Sequence, residues 1–453
     1  MAARGSTAHR RLLLSPWRST ARGRRAVPWQ RTIALWLLLL APAGLSAQEP
    51  LVGPTLPLIV HHADRFVGRQ SDSGEVQELL GNVRLQQGNV VISCGAATQY
   101  RATGVVLLRH NVRIEQGELR IAAPRISYDP AAGIAVADNG VEIRTGAQSI
   151  RARWGAYDIP RRQLLFRRAV RYQDDTLSLW TDTLRYERLT ATTYAWGGVY
   201  LESSIEQLAA EADTLVYHPA AGLLQLSGSV LLRRWARGKE PRADTLMLSA
   251  QSVTLRRRSA RTLWASDSVL LLYDTLWAAR AESLLWDDSL GRFTLSGAPL
   301  VWYGNAELRA DSIQGVLSSE QLQQLFCTGQ ARLRLHTDLL GRSHQLRSDT
   351  LLLRQLNDTL AELIASGNAR SLYCHRTADA APDGLFRHSA DRIELLFTGD
   401  SLRQARWLGA VYGEYVPELL VGERFSAWTL PGMAWVEERP QPMPWRLRPR
   451  WLP

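Results

Sequence analysis

Five valines set the scale of this chain. Val83, Val112, Val141, Val170 and Val199 are each 29 residues apart, and Val230 follows after 31. Tyrosines keep the same step at Tyr100, Tyr128, Tyr157, Tyr186 and Tyr217. Around the valines the wording repeats: Asn82-Val83-Arg84-Leu85-Gln86 returns as Asn111-Val112-Arg113-Ile114-Glu115, and more loosely as Asn139-Gly140-Val141-Glu142-Ile143. A fixed period of this length marks a repeat architecture, and it outranks any local motif. Val269, Pro299, Ala331, Ala369 and Val411 mark later, more widely spaced copies, for about eleven over residues 61–416.

Inside each copy the apolar residues alternate, as in Val83/Leu85, Val112/Ile114, Val141/Ile143, Val199/Leu201 and Val230/Leu232. Alternation over four to eight residues predicts strands with one buried face. Turn residues such as Gln87-Gly88, Gln116-Gly117 and Pro219-Ala220-Ala221-Gly222 punctuate them. No segment shows a capped helical period, so the chain reads as all-β. Gly238-Lys239-Glu240-Pro241 and Thr377 to Phe386 read as inserted loops. A tetrad of small residue, Asp, polar residue and apolar residue also recurs. It stands at 63–66, 181–184, 212–215, 243–246, 266–269, 310–313, 348–351 and 390–393. Its Asp is expected at a turn or bulge, with the carboxylate accepting a backbone N–H.

The ends differ from the array. Residues 1–31 hold eight arginines and no acid, followed by the apolar run Thr32 to Leu45 and the small residues to Ala47. This pattern predicts a secretory signal over residues 1–47, too short in its apolar part for a membrane span of about 20 residues. Residues 48–60 read as an approach ending in an edge strand near Leu58. Residues 417–453, rich in Pro, Trp and Arg, read as a cap or tail.

The formal charge of +11 comes from 54 basic and 43 acidic residues. Without the leader's eight arginines the balance is 46 against 43, about +3, which gives no ground for nucleic-acid binding. Cys94, Cys327 and Cys374 have neither metal spacing nor a disulfide framework. They read as small apolar residues, with a Cys327–Cys374 bond left open. The Asp-Thr pairs run on into strands and lack the glycine of an acid-protease loop. The nine histidines form no recognisable catalytic or metal set. The sequence therefore predicts neither an enzyme nor a cofactor.

Leu80-Gly81-Asn82-Val83-Arg84-Leu85 and Ala212-Asp213-Thr214-Leu215-Val216-Tyr217 together resemble the OstA-like family. Its members include a periplasmic lipopolysaccharide-transport bridge protein and the N-terminal domain of the outer-membrane lipopolysaccharide translocon. The resemblance covers residues 58–230 closely and 230–416 loosely. It implies a repetitive open β-jellyroll over residues 61–416: two facing antiparallel sheets whose inner faces form a slot for acyl chains. It also implies association with envelope transport components or with itself through end strands, and a periplasmic location, free or at the outer membrane. By alternation the inward residues are Val83, Leu85, Val112, Ile114, Ile121, Val141, Ile143, Val170, Val199, Leu201, Val230 and Leu232. Arg84 and Arg113 point outward. The inward set would line a slot or fill a closed core; the resemblance implies the slot. On the slot reading this is a non-enzymatic carrier of lipopolysaccharide or a related glycolipid. On the other it is a structural or adhesive envelope β-solenoid that binds protein or polysaccharide on its outer face.

Overall fold

The computed structural model describes residues 59–446 apart from 72–73, 130, 176, 204–206, 236–245, 257–260, 274–276, 288, 319–320, 338–340, 357–358, 378–380, 399–400, 436 and 445. The leader over residues 1–47 and the loop at Gly238 to Pro241 lie outside these residues. The described chain falls into two compact units whose boundary lies within the strand Thr262–Tyr273. The first unit takes the strands up to Asp267 and also holds Pro442 onward; the second takes Ser268–Gln441. Every described strand pairing is antiparallel, and helix is confined to short turns within residues 219–221 and 418–428.

The strands are folded, and the fold line explains the repeat. The strand Gly74–Gln87 pairs its first half with Arg65–Ser71 and its last residues with a different strand, Ile59–His62. Likewise Leu119–Asp129 pairs Leu119 to Ala122 with Val141–Thr145 and its last residues with Ile134–Ala137. Each long strand thus serves two walls of a jellyroll. Between the halves the register slips, for example at Leu80/Val83, Arg109/Val112, Arg167/Val170, Trp196/Val199 and Ser227/Val230. A bulge of this kind bends a strand and re-aims the residues beyond it.

At each bend of alternate strands the backbone enters the left-handed region. Gly81 and Asn82, His110 and Asn111, Arg168 and Ala169, Gly228 and Ser229, Gly329 and Gln330, and Gly367 and Asn368 are such pairs. Gly140 marks the corresponding bend before Val141. Each marker residue read from the sequence comes directly after its bend, including Val269, Pro299, Ala331, Ala369 and Val411. The marker therefore restarts the strand.

The Asp tetrad sits on the neighbouring strand at the same fold line. There the Asp side chain lies over the bend glycine: a Cβ on Gly329 would stand 2.1 Å from Asp311 Oδ2, and one on Gly228 would stand 2.2 Å from Asp213 Oδ2. Asp64 and Asp349 accept hydrogen bonds from the side-chain amides of Asn82 and Asn368 at 3.0 and 2.9 Å. The amide of Asp311 donates to Gly329 O at 3.0 Å.

One tetrad assignment changes. Asp267 and Ser268 are themselves a left-handed pair, standing where other copies have glycine. The tetrad at 243–246 lies outside the described residues apart from Leu246; the fold line of the strand Leu246–Arg256 falls at Ala250 to Val253, where Gln251 Oε1 accepts the Ser229 N–H at 3.3 Å. The loop expected from Thr377 to Phe386 also shrinks. Pro382 to Phe386 belong to the strand Pro382–Thr398, which is 17 residues long. The later copies are spaced out partly because their strands are longer, up to 18 residues at Thr359–Arg376.

Gly329→Ala combines an unfavourable φ of +77° with a direct clash. It is expected to destabilise the protein by about 2 kcal/mol or more, against about 1 kcal/mol for Gly117→Ala, where φ is +56° and nothing crowds the new Cβ. Adding Asp311→Ala should recover part of the first loss and none of the second, read by chemical denaturation as a double-mutant cycle.

Candidate functional site

In the first unit the inward side chains form unbroken rows, because cross-strand partners share a face. One row runs from Leu85 through Ile92, Ile114, Ile121, Ile143, Ile150, Tyr172, Leu179, Leu201, Ala210 and Leu232 to Leu248, each a direct partner of the next. A second row beside the fold line contains Val83 opposite Cys94, Val112 opposite Ala123, Val141 opposite Ala152, and Val170 opposite Thr181. Thr181 in turn faces Val199, and Val230 faces Ala250. The other wall contributes Phe166, Leu184, Ala195, Leu215, Leu226 and Val253 in the same manner.

All twelve inward residues read from the sequence therefore lie in these two rows. Ten are buried; Ile114 and Ile121 are half-buried. Burial is not uniform along the rows. Val199, Ala212, Leu215, Val230 and Val253 are 0 % exposed, so side chains of the two walls cover one another there. From Ile92 to Ile121 three successive isoleucines keep part of their surface accessible. Arg84 and Arg113 are exposed on the outward face, as alternation requires.

The rows also contain polar groups that the sequence reading did not include. Tyr172 donates to Asp174 Oδ2 at 2.7 Å, and burial pushes its phenol far up. Thr181 Oγ1 donates to the carbonyl oxygens of Trp196 and Thr183 at 3.0 and 3.3 Å. Each brings its own partner, so neither interrupts the apolar surface. Cys94, Cys327 and Cys374 are buried free thiols, and no Cys327–Cys374 bond is formed. Burial raises all three, Cys327 and Cys374 to about 12, so none is a nucleophile at neutral pH. Among the described residues no group of acidic, histidine and cysteine side chains could hold a metal.

The Trp-, Pro- and Arg-rich end lies on an outward face. In the second unit Arg342 is held by Glu418 at 2.8 and 2.6 Å, and the Leu430 N–H donates to Gln345 Oε1 at 2.9 Å. Trp435 Nε1 donates to Glu307 Oε2 at 2.7 Å, and the same carboxylate also takes Arg334 and His336. In the first unit the backbone N–H of Arg446 donates to both oxygens of buried Glu211, at 3.0 and 2.9 Å. Composition alone could not show this, because every contact joins residues far apart in sequence.

The inward face of the second unit carries His344. Its ring stacks on Tyr373 with centroids 4.6 Å apart, and its Nδ1 accepts the Cys374 N–H at 3.1 Å. Burial lowers its pKa from 6.5 to about 4. The folded state thus disfavours the imidazolium, so the stabilisation is complete above pH 6.5 and is lost as pH falls from there toward 4. Unfolding free energy should drop by about 1 to 3 kcal/mol over that window on this account. In His344→Phe, which keeps a ring against Tyr373, this part of the pH dependence should vanish; equal slopes for both proteins in denaturant titrations would refute the assignment.

Comparison with known proteins places the repeat in a family. The model of "OstA-like protein" matches residues 57–159 and 81–182. No curated protein matches the chain. Among solved structures, LptH of Pseudomonas aeruginosa is similar, described as the LptA-homologous periplasmic component of the lipopolysaccharide transport device. It is 12 % identical, with 31 % of this chain and 95 % of that one covered at a TM-score of 0.25. The family match spans the bends at Gly81, Asn111, Gly140 and Arg168, together with eight of the twelve inward residues. Over residues 57–182 the chain is similar to the OstA-like family.

Proposed function

We propose that the protein is a non-enzymatic lipid carrier of the periplasm, which moves lipopolysaccharide or a related glycolipid toward the outer membrane with the acyl chains between its two walls. The observation behind this is the uninterrupted inward row from Leu85 to Leu248, with its half-buried stretch at Ile92, Ile114 and Ile121. Enclosing a chain of about twelve methylenes contributes roughly 10 kcal/mol at about 0.8 kcal/mol each. That suffices to hold a lipid without a covalent step. The OstA-like repeats and the leader read from the sequence support the compartment.

Partners come in at the edges. Ile59 and Val60 lie exposed on the first described strand, and an unpaired edge is a template for another strand. On this reading envelope transport components, or a second copy, add to that edge. Val60→Pro should abolish crosslinking to such a partner while leaving lipid capture intact.

A second reading has one observation in its favour. Where Val199, Leu215 and Val230 are fully covered, the walls pack as a closed core would, which suits a structural or adhesive β-solenoid acting through its outer face. Photo-crosslinkers in cells separate the two. The carrier reading expects glycolipid captured from Ile114, Ile143 and Leu201, most strongly from Ile114, and little from Arg84 or Arg113. Capture from the arginine positions alone would leave the outer-face reading standing.

A further inference from the structure

Along the second unit the inward face changes character. Leu333 and Leu335 face Leu346 and His344, and the next strands bring Ser371, then His388 and Phe386, with Tyr415 opposite Phe386. On the other wall the inward row Ile313, Cys327, Leu351, Ala365 and Ile393 ends in Trp407. The rings meet: Phe386 lies 4.9 Å from Tyr415 and 6.1 Å from His388, and His388 lies 4.5 Å from Trp407. Aliphatic rows thus give way to aromatic rings and imidazoles.

A wall meant only for hydrocarbon gains nothing from this. His388 Nδ1 and Trp407 Nε1 are buried without a hydrogen-bond partner, an arrangement that is costly in an apolar surrounding. Trp286 Nε1, on a ring stacked against Phe293, is likewise buried without a partner, whereas Tyr172 and Thr181 supply their own. Two unpaired nitrogens on touching rings suit a partner that arrives with hydroxyl groups. Burial keeps the His344 and His388 rings below the ordinary imidazole range, hence uncharged at neutral pH, so the cluster offers no cation to a phosphate. Tyr415, 44 % exposed, leaves an approach from the terminal strand.

We propose that His388, Trp407, Phe386 and Tyr415 form a platform for a neutral sugar ring, whose C–H face packs on the aromatic rings and whose hydroxyls engage His388 Nδ1 and Trp407 Nε1. This rests on the carrier reading for a glycolipid source: the acyl chain then lies along the second unit's own rows and the sugar reaches the platform. A free saccharide has the same chemistry. The hydroxyls take their places as the His388 and Trp407 rings part, which is why these two nitrogens stand unpaired in the closed arrangement.

Calorimetry on the full chain at pH 7 tests it with three probes: dodecyl maltoside and dodecylphosphocholine, both below micelle formation, and maltose. The maltoside should bind at least fivefold more tightly than the phosphocholine. Trp407→Leu and His388→Leu should each reduce that preference to twofold or less. Tyr415→Leu, at an exposed position, provides the same test should either variant fold poorly. Equal binding of the two detergents, or a preference that survives the substitutions, overturns the platform but leaves the carrier reading intact. If neither detergent binds, the carrier reading fails; the platform then stands only if maltose binds and Trp407→Leu abolishes it. Maltose binding alongside the detergent preference assigns the site to free saccharides as well.

Discussion

The fold depends on one local arrangement: a carboxylate-bearing side chain laid over a glycine at a bend. Two consecutive residues in the left-handed region turn each alternate strand, and L-residues enter that region at a cost of about 1 kcal/mol or more each. The penalty recurs down the array at Arg168, Ala169, Gln330 and Ala410. What offsets it is the wall built on either side. Glycine at Gly81, Gly228, Gly329, Gly367 and Gly409 lets the Asp of the neighbouring strand close over the backbone. The amides of Asn82 and Asn368 then bond to that Asp. In these copies the bend is therefore specified twice, once in each strand, which resists sliding relative to its neighbour.

Register is a consequence of the same arrangement. A one-residue slip would turn every inward side chain outward, and the bend prevents it by fixing which residue restarts the strand. Val83, Val112, Val141, Val170, Val199 and Val230 occupy that restarting position, and all are buried. The unbroken rows are thus produced by the bend rather than being an independent feature. Strand pairing joins each described copy to its neighbours, so that part of the stability accumulates copy by copy.

Much of this was legible in the sequence because the bend imposes a period of two strands. The valine spacing, the alternation and the all-β class stem from it, and so does the side on which Leu85 or Arg84 falls. Less legible was which residues make the bend. The tetrad at 266–269 looks like its counterparts, yet Asp267 occupies the glycine position, a substitution possible because Asp tolerates the left-handed region. The expected loop at Thr377 to Phe386 contains Pro382 and Gly384, ordinary breakers, but Pro382 opens a strand and Gly384 pairs within it. The contacts of Trp435 with Glu307 and of Arg446 with Glu211 join residues more than a hundred positions apart, where periodicity carries no information. Nor does alternation distinguish a half-buried Ile114 from a fully buried Val112: both are inward, and the difference lies in how closely the walls approach.

On the proposed carrier reading, that approach sets the physical condition for carriage. Where Val199, Leu215 and Val230 are wholly covered, a hydrocarbon chain can enter only by replacing wall-to-wall contacts with wall-to-chain contacts. The exchange is nearly neutral in apolar area, because each methylene that enters buries about as much surface as the side chains give up. The remaining penalty is angular, and it falls on the bends. Each such bend is made of left-handed residues, without a helix or a disulfide bracing it among the described residues of the first unit. At Ile92, Ile114 and Ile121 the inward surface is already partly uncovered, so the first contact of a chain requires no change of angle. On the proposed carrier reading, entry there and progressive widening along the row would expose the least apolar surface at any moment.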